Sequence, residues 1–374
     1  MNDNTRVAEA NTDFGLRLFA RLAAEAGDAN VVMSPLSLSI VLAMLYNGAE
    51  TTTRNAMADA LGWTDVDLAQ VNAAGEDILR AYRGYAPGVR LDLANAIWLN
   101  GETLAPDYTQ RIRHAYGAEA MQGVDVDAIN AWIAAATEGK IVNLLTPNDL
   151  NMARLVLANA LYFKGTWTTA FDPAWTEPGE FRLLDGRARP MPMMSQQTDY
   201  PYFENGLCQA VYLPYGDRHV GMFVLLPRPH VTLDALTQAL SRQTPQEWAA
   251  AMAWRKVALR LPRFTVNCKA QLQAALAELG LAEMFSRAAD FSGMAQRGLF
   301  VSRVIHGAVM DVNEAGTEAA ASTVAVMVRG MPEPVTEMVV DRPFLCFIAD
   351  DTVGVPVIAA RITDPQPLPD PELE

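Results

Sequence analysis

Histidine is the side chain that most readily transfers protons near neutral pH, and the chain contains four: His114, His219, His230 and His306. Only His306 lies in an apolar segment, Val304–Met310, where a serine and a carboxylate brought close by the fold would complete a hydrolase triad. A lone histidine on an apolar strand is more often a hydrogen-bonded core residue, because buried polar groups are nearly always satisfied. We therefore favour a structural role for His306 over a hydrolase that uses it.

Other motifs that would support enzymatic chemistry are absent from the sequence. None of the histidines has a neighbour at zinc-site spacing, and the chain has no HExxH, GxGxxG, phosphate-loop or GxSxG motif. The sequence therefore predicts no metal and no cofactor. Cys208, Cys268 and Cys346 are odd in number and far apart, which suits buried thiols better than disulfides.

The overall charge and the hydrophobic pattern exclude several classes of partner. Lysine and arginine number 29 and aspartate and glutamate number 43, so the net charge is −14, which disfavours nucleic acid and anionic membranes as partners. No stretch reaches the ~18 apolar residues of a membrane span. The segment Met1–Ala10 lacks the apolar core of a signal peptide. We expect a cytoplasmic monomer, or an extracellular one if a leader was removed.

Small residues dominate the segment Asn313–Val328. Read with a period of two, it places small side chains on both faces of a possible strand, so that such a strand could slide between two others. One face carries Thr317, Ala319, Ala321, Thr323 and Ala325, and the other carries Glu318, Ala320, Ser322, Val324 and Val326. Local propensity favours a helix or loop instead, because alanine is the best helix former and Thr317 could cap a helix. Gly316 supplies backbone freedom where a hinge would need it.

Elsewhere, helical patterns dominate early in the chain and strand patterns late, without regular alternation, which predicts an α+β fold with mixed β-sheets. A buried helix should begin at the cap Ser34 and Pro35, and a continuous apolar run predicts a central strand over 155–164. Further helices are predicted over 11–26, 52–61, 129–138 and 271–279, and further strands over 31–33, 91–100, 222–226, 259–266, 343–349 and 355–362.

Many segments in order resemble the serpins, a family of serine protease inhibitors. The segment Glu314–Thr323 is similar to the hinge of the family, and Leu157–Trp167 to one of its most specific strands. The resemblance continues through Asn30–Ala49, Asn95–Trp98, Asn130–Ile141, Leu213–Tyr215, Leu225–Pro227, Leu261–Phe264 and Asp341–Phe344. It implies a serpin fold with one large central sheet, two smaller sheets, about eight to nine helices and an exposed reactive-centre loop. It also implies an inhibitor and not an enzyme.

The resemblance assigns roles to particular residues. Beneath the opening of the main sheet, a hydrogen-bonded cluster called the shutter would comprise Ser34, Ser37, Asn159 and His306. At the top of the sheet, a region called the breach would comprise Trp167, Arg263 and Glu314, the last two as an ion pair. The hinge would comprise Glu314, Gly316, Thr317, Glu318, Ala319, Ala320 and Ala321, whose small residues fit the inhibitory pattern.

The family's mechanism implies that a serine protease attacks one loop bond and is trapped as the loop inserts. Family spacing places that bond at Gly330–Met331, for an elastase-like or chymotrypsin-like protease, while Arg329–Gly330 would suit a trypsin-like one. The alternative is a non-inhibitory serpin that acts as carrier or chaperone.

A single domain over 1–374 is expected, with the reactive-centre loop at about 314–338 and a proline-rich tail at 364–374. Proline at alternate positions excludes a helix or an inner strand in the tail, so we expect it to be extended and to pack on the body.

Overall fold

A computed structural model of the chain describes residues 3–83, 88–101, 103–150, 153–217, 219–295, 298–317, 334–350 and 355–369. Nine α-helices lie within these ranges. They are α1 (Asp3–Glu25), α2 (Pro35–Tyr46), α3 (Thr51–Leu61), α4 (Leu68–Arg83), α5 (Pro106–Tyr116), α6 (Val126–Ala136), α7 (Leu233–Leu240), α8 (Pro245–Ala251) and α9 (Gln273–Leu276).

Sixteen strands lie in the same described ranges. They are β1 (Val31–Met33), β2 (Val89–Leu99), β3 (Glu119–Gln122), β4 (Leu155–Thr166), β5 (Glu177–Arg182), β6 (Ala188–Glu204), β7 (Cys208–Tyr215), β8 (Val220–Pro227), β9 (Ala253–Pro262), β10 (Phe264–Gln271), β11 (Arg303–Asn313), β12 (Gly316–Thr317), β13 (Thr336–Val339), β14 (Phe344–Asp350), β15 (Ile358–Ile362) and β16 (Gln366–Pro367).

Seven strands form what we call the main sheet, in the order β16-β10-β11-β12-β4-β2-β3. Strands β4 and β11 pair in parallel along one end, from Val156–Arg303 to Leu161–Ala308. Toward the other end the two-residue strand β12 pairs with both of them. We call the space between β4 and β11, from Leu161 and Ala308 up to Thr317, the slot. The predicted central strand over 155–164 is thus confirmed, and the slot lies beside it.

The remaining nine strands form the second sheet, in the order β1-β15-β14-β8-β7-β6-β9-β13, with β5 paired to β6. Two smaller sheets were expected, but in the described residues their strands form one continuous ladder. The reason is the 17-residue strand β6, which pairs with β5, β9 and β7 in turn along its length.

Helix α2 is buried along its whole length in the core, where it packs against β2 and β4 of the main sheet and β15 of the second sheet. Its first turn is fixed as the sequence predicted, because the Ser34 side chain accepts a hydrogen bond from the Ser37 N–H and Pro35 occupies the first helical position. Helix α6 packs on the opposite face of the main sheet, where Ile129 and Ile133 form a separate apolar cluster with β4 residues such as Ala158.

Several predicted boundaries differ from the structure. The strand predicted over 259–266 is two strands, because Pro262 ends β9 in the second sheet and β10 begins at Phe264 in the main sheet. The junction residue Arg263 therefore belongs to neither ladder. The helix predicted over 11–26 begins at Asp3 instead, and the one predicted over 271–279 is α-helical only for Gln273–Leu276 before a π-turn that contains Gly280 at φ 103°.

Candidate functional site

The four predicted shutter residues lie together in one buried hydrogen-bonded chain. Nε2 of His306 accepts the backbone N–H of Ser34 at 3.1 Å, and Nδ1 of His306 lies 3.0 Å from Oδ1 of Asn159. Nδ2 of Asn159 donates to Oγ of Ser37 at 2.5 Å and to Oδ1 of Asn95 at 2.6 Å. All five side chains are buried. The cluster therefore joins the start of α2 to β2, β4 and β11.

These contacts fix the protonation of His306. Nε2 accepts the N–H of Ser34, so the single proton of the neutral imidazole ring must be on Nδ1. Nδ1 then donates it in a hydrogen bond to the amide oxygen of Asn159. Burial lowers the pKa of His306 to about 4, so the ring is neutral at physiological pH. The lone pair that a general base would need is engaged by Ser34. This geometry suits a structural residue and not a hydrolase base.

His306 and Asn159 are also direct partners in the parallel pairing of β11 with β4. Their side-chain hydrogen bond therefore spans the two strands close to the point where the pairing ends, at Ala308 and Leu161. Separation of β4 from β11 would break this bond.

The predicted ion pair of the breach is present and buried. Nη1 of Arg263 lies 3.2 Å from Oε1 of Glu314, and the two side chains are 8% and 4% exposed. The same oxygen accepts the hydroxyl of Thr176 at 2.7 Å, whereas Oε2 of Glu314 is buried without a hydrogen-bond partner in the described residues. The carboxylate is thus held chiefly through one oxygen.

Trp167, the third predicted breach residue, packs beside the end of β11. Its ring stacks on Tyr215 with centroids 4.4 Å apart and an interplanar angle of 9°. Its Nε1 donates to the carbonyl of Asn313 at 2.9 Å, and its backbone N–H donates to the carbonyl of Ala315 at 2.9 Å. Tyr215 in turn shares a 2.6 Å hydrogen bond with Oγ1 of Thr317. The aromatic pair therefore connects the second sheet to the hinge.

The hinge begins inside the main sheet. The side-chain oxygen of Asn313 accepts the N–H groups of Ala315 and Gly316, which turns the chain back on itself after β11. Gly316 then adopts φ 152°, and a Cβ atom at this position would lie 1.9 Å from the carbonyl oxygen of Gly165. Glycine is therefore required for β12 to lie against β4.

Comparisons with known proteins bear on this arrangement. The family described as Serpin (serine protease inhibitor) matches residues 9–365. The chain belongs to the serpin family. It is 34% identical to leukocyte elastase inhibitor of Bos taurus over 96% of this chain and 100% of that protein. It is also 32% identical to corticosteroid-binding globulin of Oryctolagus cuniculus over 96% of each. The fold matches the crystal structure of human glycosylated kallistatin with a TM-score of 0.89, at 26% identity over 98% of this chain and 100% of that one.

Membership confirms the serpin fold and places the chain in a family of protease inhibitors and not of enzymes. The relatives differ in the activity that their names state, since one is named as an elastase inhibitor and another as a corticosteroid-binding protein.

Part of the predicted site falls outside the described residues of this serpin. The hinge residues Glu318, Ala319, Ala320 and Ala321 and the candidate reactive residues Arg329, Gly330 and Met331 all lie there. Within the described ranges, no cluster of three or more histidine, cysteine, aspartate or glutamate residues could hold a metal ion. No helix among those ranges is long and apolar enough to cross a membrane.

Asn95 and Tyr215 are site residues that the sequence did not predict, as is Thr176, whose hydroxyl donates to Glu314. Asn95 and Tyr215 stand inside segments that resemble the family, but nothing in their local sequence marks them as partners of Asn159 and Thr317. Their roles arise from strand pairing and from contact between the sheets.

Proposed function

We propose that this serpin inhibits a serine protease as a suicide substrate, by inserting its cleaved loop into the slot. The observation that carries the proposal is the placement of Gly316 and Thr317 between β4 and β11, paired with both strands. These two residues are the first step of an insertion that the rest of the segment can continue.

The register of β12 specifies where the later residues would go. Thr317 faces Gly165 on β4 and Val312 on β11, and an antiparallel strand moves one residue back on each neighbour at every step. Thr323 would then face Asn159 and His306, the pair that face each other now. The pairing with β4 and the pairing with β11 predict the same register for Thr323. An inserted strand would thus separate the shutter pair and place a hydroxyl between them.

The side chains on the inserted strand would fit the available space. Thr317 is buried and contacts Tyr215, so its face of the strand points into the core. Alternation puts Ala319, Ala321 and Thr323 on that same face. All are small, so that the strand could enter without displacing the core.

The chemistry then follows from the tethering of the loop. The protease serine attacks the scissile carbonyl, the amine of the next residue leaves, and the protease remains esterified to the new C-terminus. Release of that end allows about ten residues to pair with both neighbours. At roughly 1 kcal/mol for each hydrogen bond, and after subtraction of the β4–β11 bonds that break, the gain is on the order of 10 kcal/mol. We propose Gly330–Met331 as the scissile bond, for an elastase-like or chymotrypsin-like protease, and Arg329–Gly330 as the alternative for a trypsin-like one.

A carrier or chaperone is the second candidate, supported by the similarity to corticosteroid-binding globulin. Such a protein would be cleaved without trapping the protease. The small residues on the same face as Thr317 favour the inhibitor, because a charged or bulky side chain on that core-facing side would hinder insertion.

The test is a denaturing gel after incubation with elastase, chymotrypsin or trypsin. We expect a band heavier than either protein, which resists denaturant because the link is an ester, and the mass of the released C-terminal peptide identifies the bond. Two matched variants sharpen the result. Ala319→Glu puts a carboxylate on the core-facing side and should be cleaved without trapping, whereas Glu318→Ala, on the opposite face, should still trap. Cleavage of the unmodified chain without any heavier band would favour the carrier.

A further inference from the structure

The tail strand β16 lies beside the breach and beyond the family match. The match ends at residue 365, and Gln366–Pro367 immediately afterwards pair with Thr265 and Phe264 at the edge of the main sheet. The tail leaves from a fixed point, because Asn30 accepts the backbone N–H of Asp364 at 2.9 Å and donates to its carbonyl at 2.7 Å. The tail therefore forms an edge strand of the main sheet directly after the segment that the family match covers.

Arg263 connects the tail to the breach. Its Nε donates to the carbonyl oxygen of Leu368 at 3.1 Å, while its Nη1 holds Oε1 of Glu314 at 3.2 Å. The backbone N–H of Leu368 in turn points to the carbonyl of Arg263 at 3.5 Å. One buried guanidinium therefore contacts the tail on one side and the end of β11 on the other.

A second arginine fixes the tail to the second sheet. Arg189 on β6 reaches Oδ1 of Asp364 and Oε1 of Gln366, each at 2.7 Å. Next to this contact, the backbone N–H of Arg263 donates to the carbonyl of Pro192, also on β6, at 2.8 Å. The tail thus spans the edge of the main sheet and β6.

We propose that residues 364–369 act as a clamp that holds Arg263 against Glu314 and so slows the separation of β4 from β11. The inference rests on the proposed function, because it concerns the rate of strand insertion. Insertion requires β4 and β11 to move apart by about one further strand spacing, roughly 4.8 Å. Glu314 stands immediately after β11, and its own carbonyl accepts the N–H of Phe171 beyond β4 at 2.8 Å. A guanidinium fixed from behind by Leu368 restrains Glu314 and the end of β11, so that β11 moves away from β4 less readily.

Uptake of a synthetic peptide measures opening of the slot directly. The peptide carries residues 317–328 and competes for the place that the loop would take, so that each molecule that accepts it loses its inhibitory activity. We expect truncation after Pro365 to speed this loss about tenfold relative to the full chain, which corresponds to about 1.4 kcal/mol in the barrier. Truncation after Pro369, which leaves β16 and Leu368 in place, is the matched control and should change the rate less than twofold.

A second variant tests the clamp with the tail still present, in case truncation impairs folding. Arg189→Met removes both contacts to the tail and should speed peptide uptake about threefold. Arg187→Met is its control, because Arg187 is an exposed arginine close by in the sequence whose side chain pairs with Asp185 instead of a tail residue. Equal rates for the full chain, the shorter tail and Arg189→Met would overturn the clamp. Failure of the full chain to accept any peptide would instead count against the proposed insertion itself.

Discussion

His306 and Asn159 form the one side-chain hydrogen bond of the shutter that joins β11 to β4, the two strands that we propose must part. Both side chains are buried, so leaving the amide or the imidazole without a hydrogen-bond partner would lower the stability of the protein. Because the register would bring the hydroxyl of Thr323 to the same level, the inserted state would give both groups a new partner. At the residue scale, the shutter can therefore close the sheet without preventing insertion.

The buried imidazole predicts a pH dependence of stability. The pKa of His306 is about 4 in the folded protein and about 6.5 when exposed, so between these values the unfolded chain binds the additional proton. Folding stability contributed by the neutral ring is therefore complete above pH 6.5 and falls by roughly 3 kcal/mol as the pH drops to 4. Denaturant unfolding of the unmodified chain and of His306→Gln checks this.

The difference between those two proteins should shrink as the pH falls through this window. His114→Gln provides the control, since the side chain of His114 is 82% exposed and lies outside the core. A parallel shift of the His306→Gln curve at all pH values would mean that the ring does not titrate as proposed.

The buried pair of Arg263 and Glu314 predicts strong coupling between the two side chains. Removal of one partner leaves a charge buried without compensation, which typically costs about 3 kcal/mol, whereas removal of both costs less. We expect Arg263→Met and Glu314→Leu each to lower the free energy of unfolding by about that amount, and the double variant to lose clearly less than the sum. A double-mutant cycle in denaturant measures the coupling.

Arg80→Met is the reference for that cycle. Arg80 pairs with Asp77 on the surface, where an ion pair contributes about 0–1 kcal/mol. Additive losses for Arg263→Met and Glu314→Leu would show that the pair contributes no more than two independent contacts.

At the scale of elements, β12 depends on a single glycine. A methyl group at Gly316 would overlap the carbonyl oxygen of Gly165, and the positive φ is unfavourable for alanine as well. Gly316→Ala should therefore displace the segment 316–317 from the sheet. Insertion would then start later, and more of the inhibitor would be cleaved without trapping. We expect the number of inhibitor molecules consumed for each protease trapped to rise several-fold, measured by titration against a fixed amount of enzyme.

Gly27→Ala is the control that separates the steric overlap with Gly165 from the cost of placing alanine at a positive φ. Gly27 also has a positive φ, 56°, but nothing lies within 4 Å of the position its Cβ would take. The Gly27→Ala variant should differ slightly in stability and should have the same stoichiometry of inhibition as the unmodified chain. An unchanged stoichiometry for Gly316→Ala would remove β12 as the start of insertion.

Local sequence predicted the elements that carry their own signal. Helix α2 has a cap, a proline and an apolar surface all round, and β4 is a continuous apolar run, so both were found near their true bounds. The division at Arg263 was missed, because only contacts between sheets decide that Pro262 ends one ladder and Phe264 begins another. His306, Asn159 and the start of α2 lie more than a hundred residues apart in the sequence, and for them the family resemblance supplied what periodicity could not.

At the scale of the whole molecule, the loop is held at both ends. Thr317 lies in the main sheet, while Thr336 begins β13, which pairs in parallel with β9 of the second sheet. A loop anchored to two different sheets cannot extend far along the slot without leaving β9. The uncleaved protein is therefore expected to be a trapped state, because the sequence that fits the slot is already attached but cannot pair along its full length until the loop is cut.

Cleavage removes one of these anchors and should stabilise the protein. If about ten residues then pair in the slot, the gain of about 10 kcal/mol is comparable to the whole stability of a typical domain. For a chain of this length we expect the melting temperature to rise on the order of 10 °C after the loop is cut, measured by calorimetry before and after limited proteolysis. Ala319→Glu, cut at the same bond, is the matched control, because its buried carboxylate should prevent the rise. If the cut unmodified chain melted where the intact chain does, the slot would not accept the loop, and the small residues of Asn313–Val328 would need another explanation.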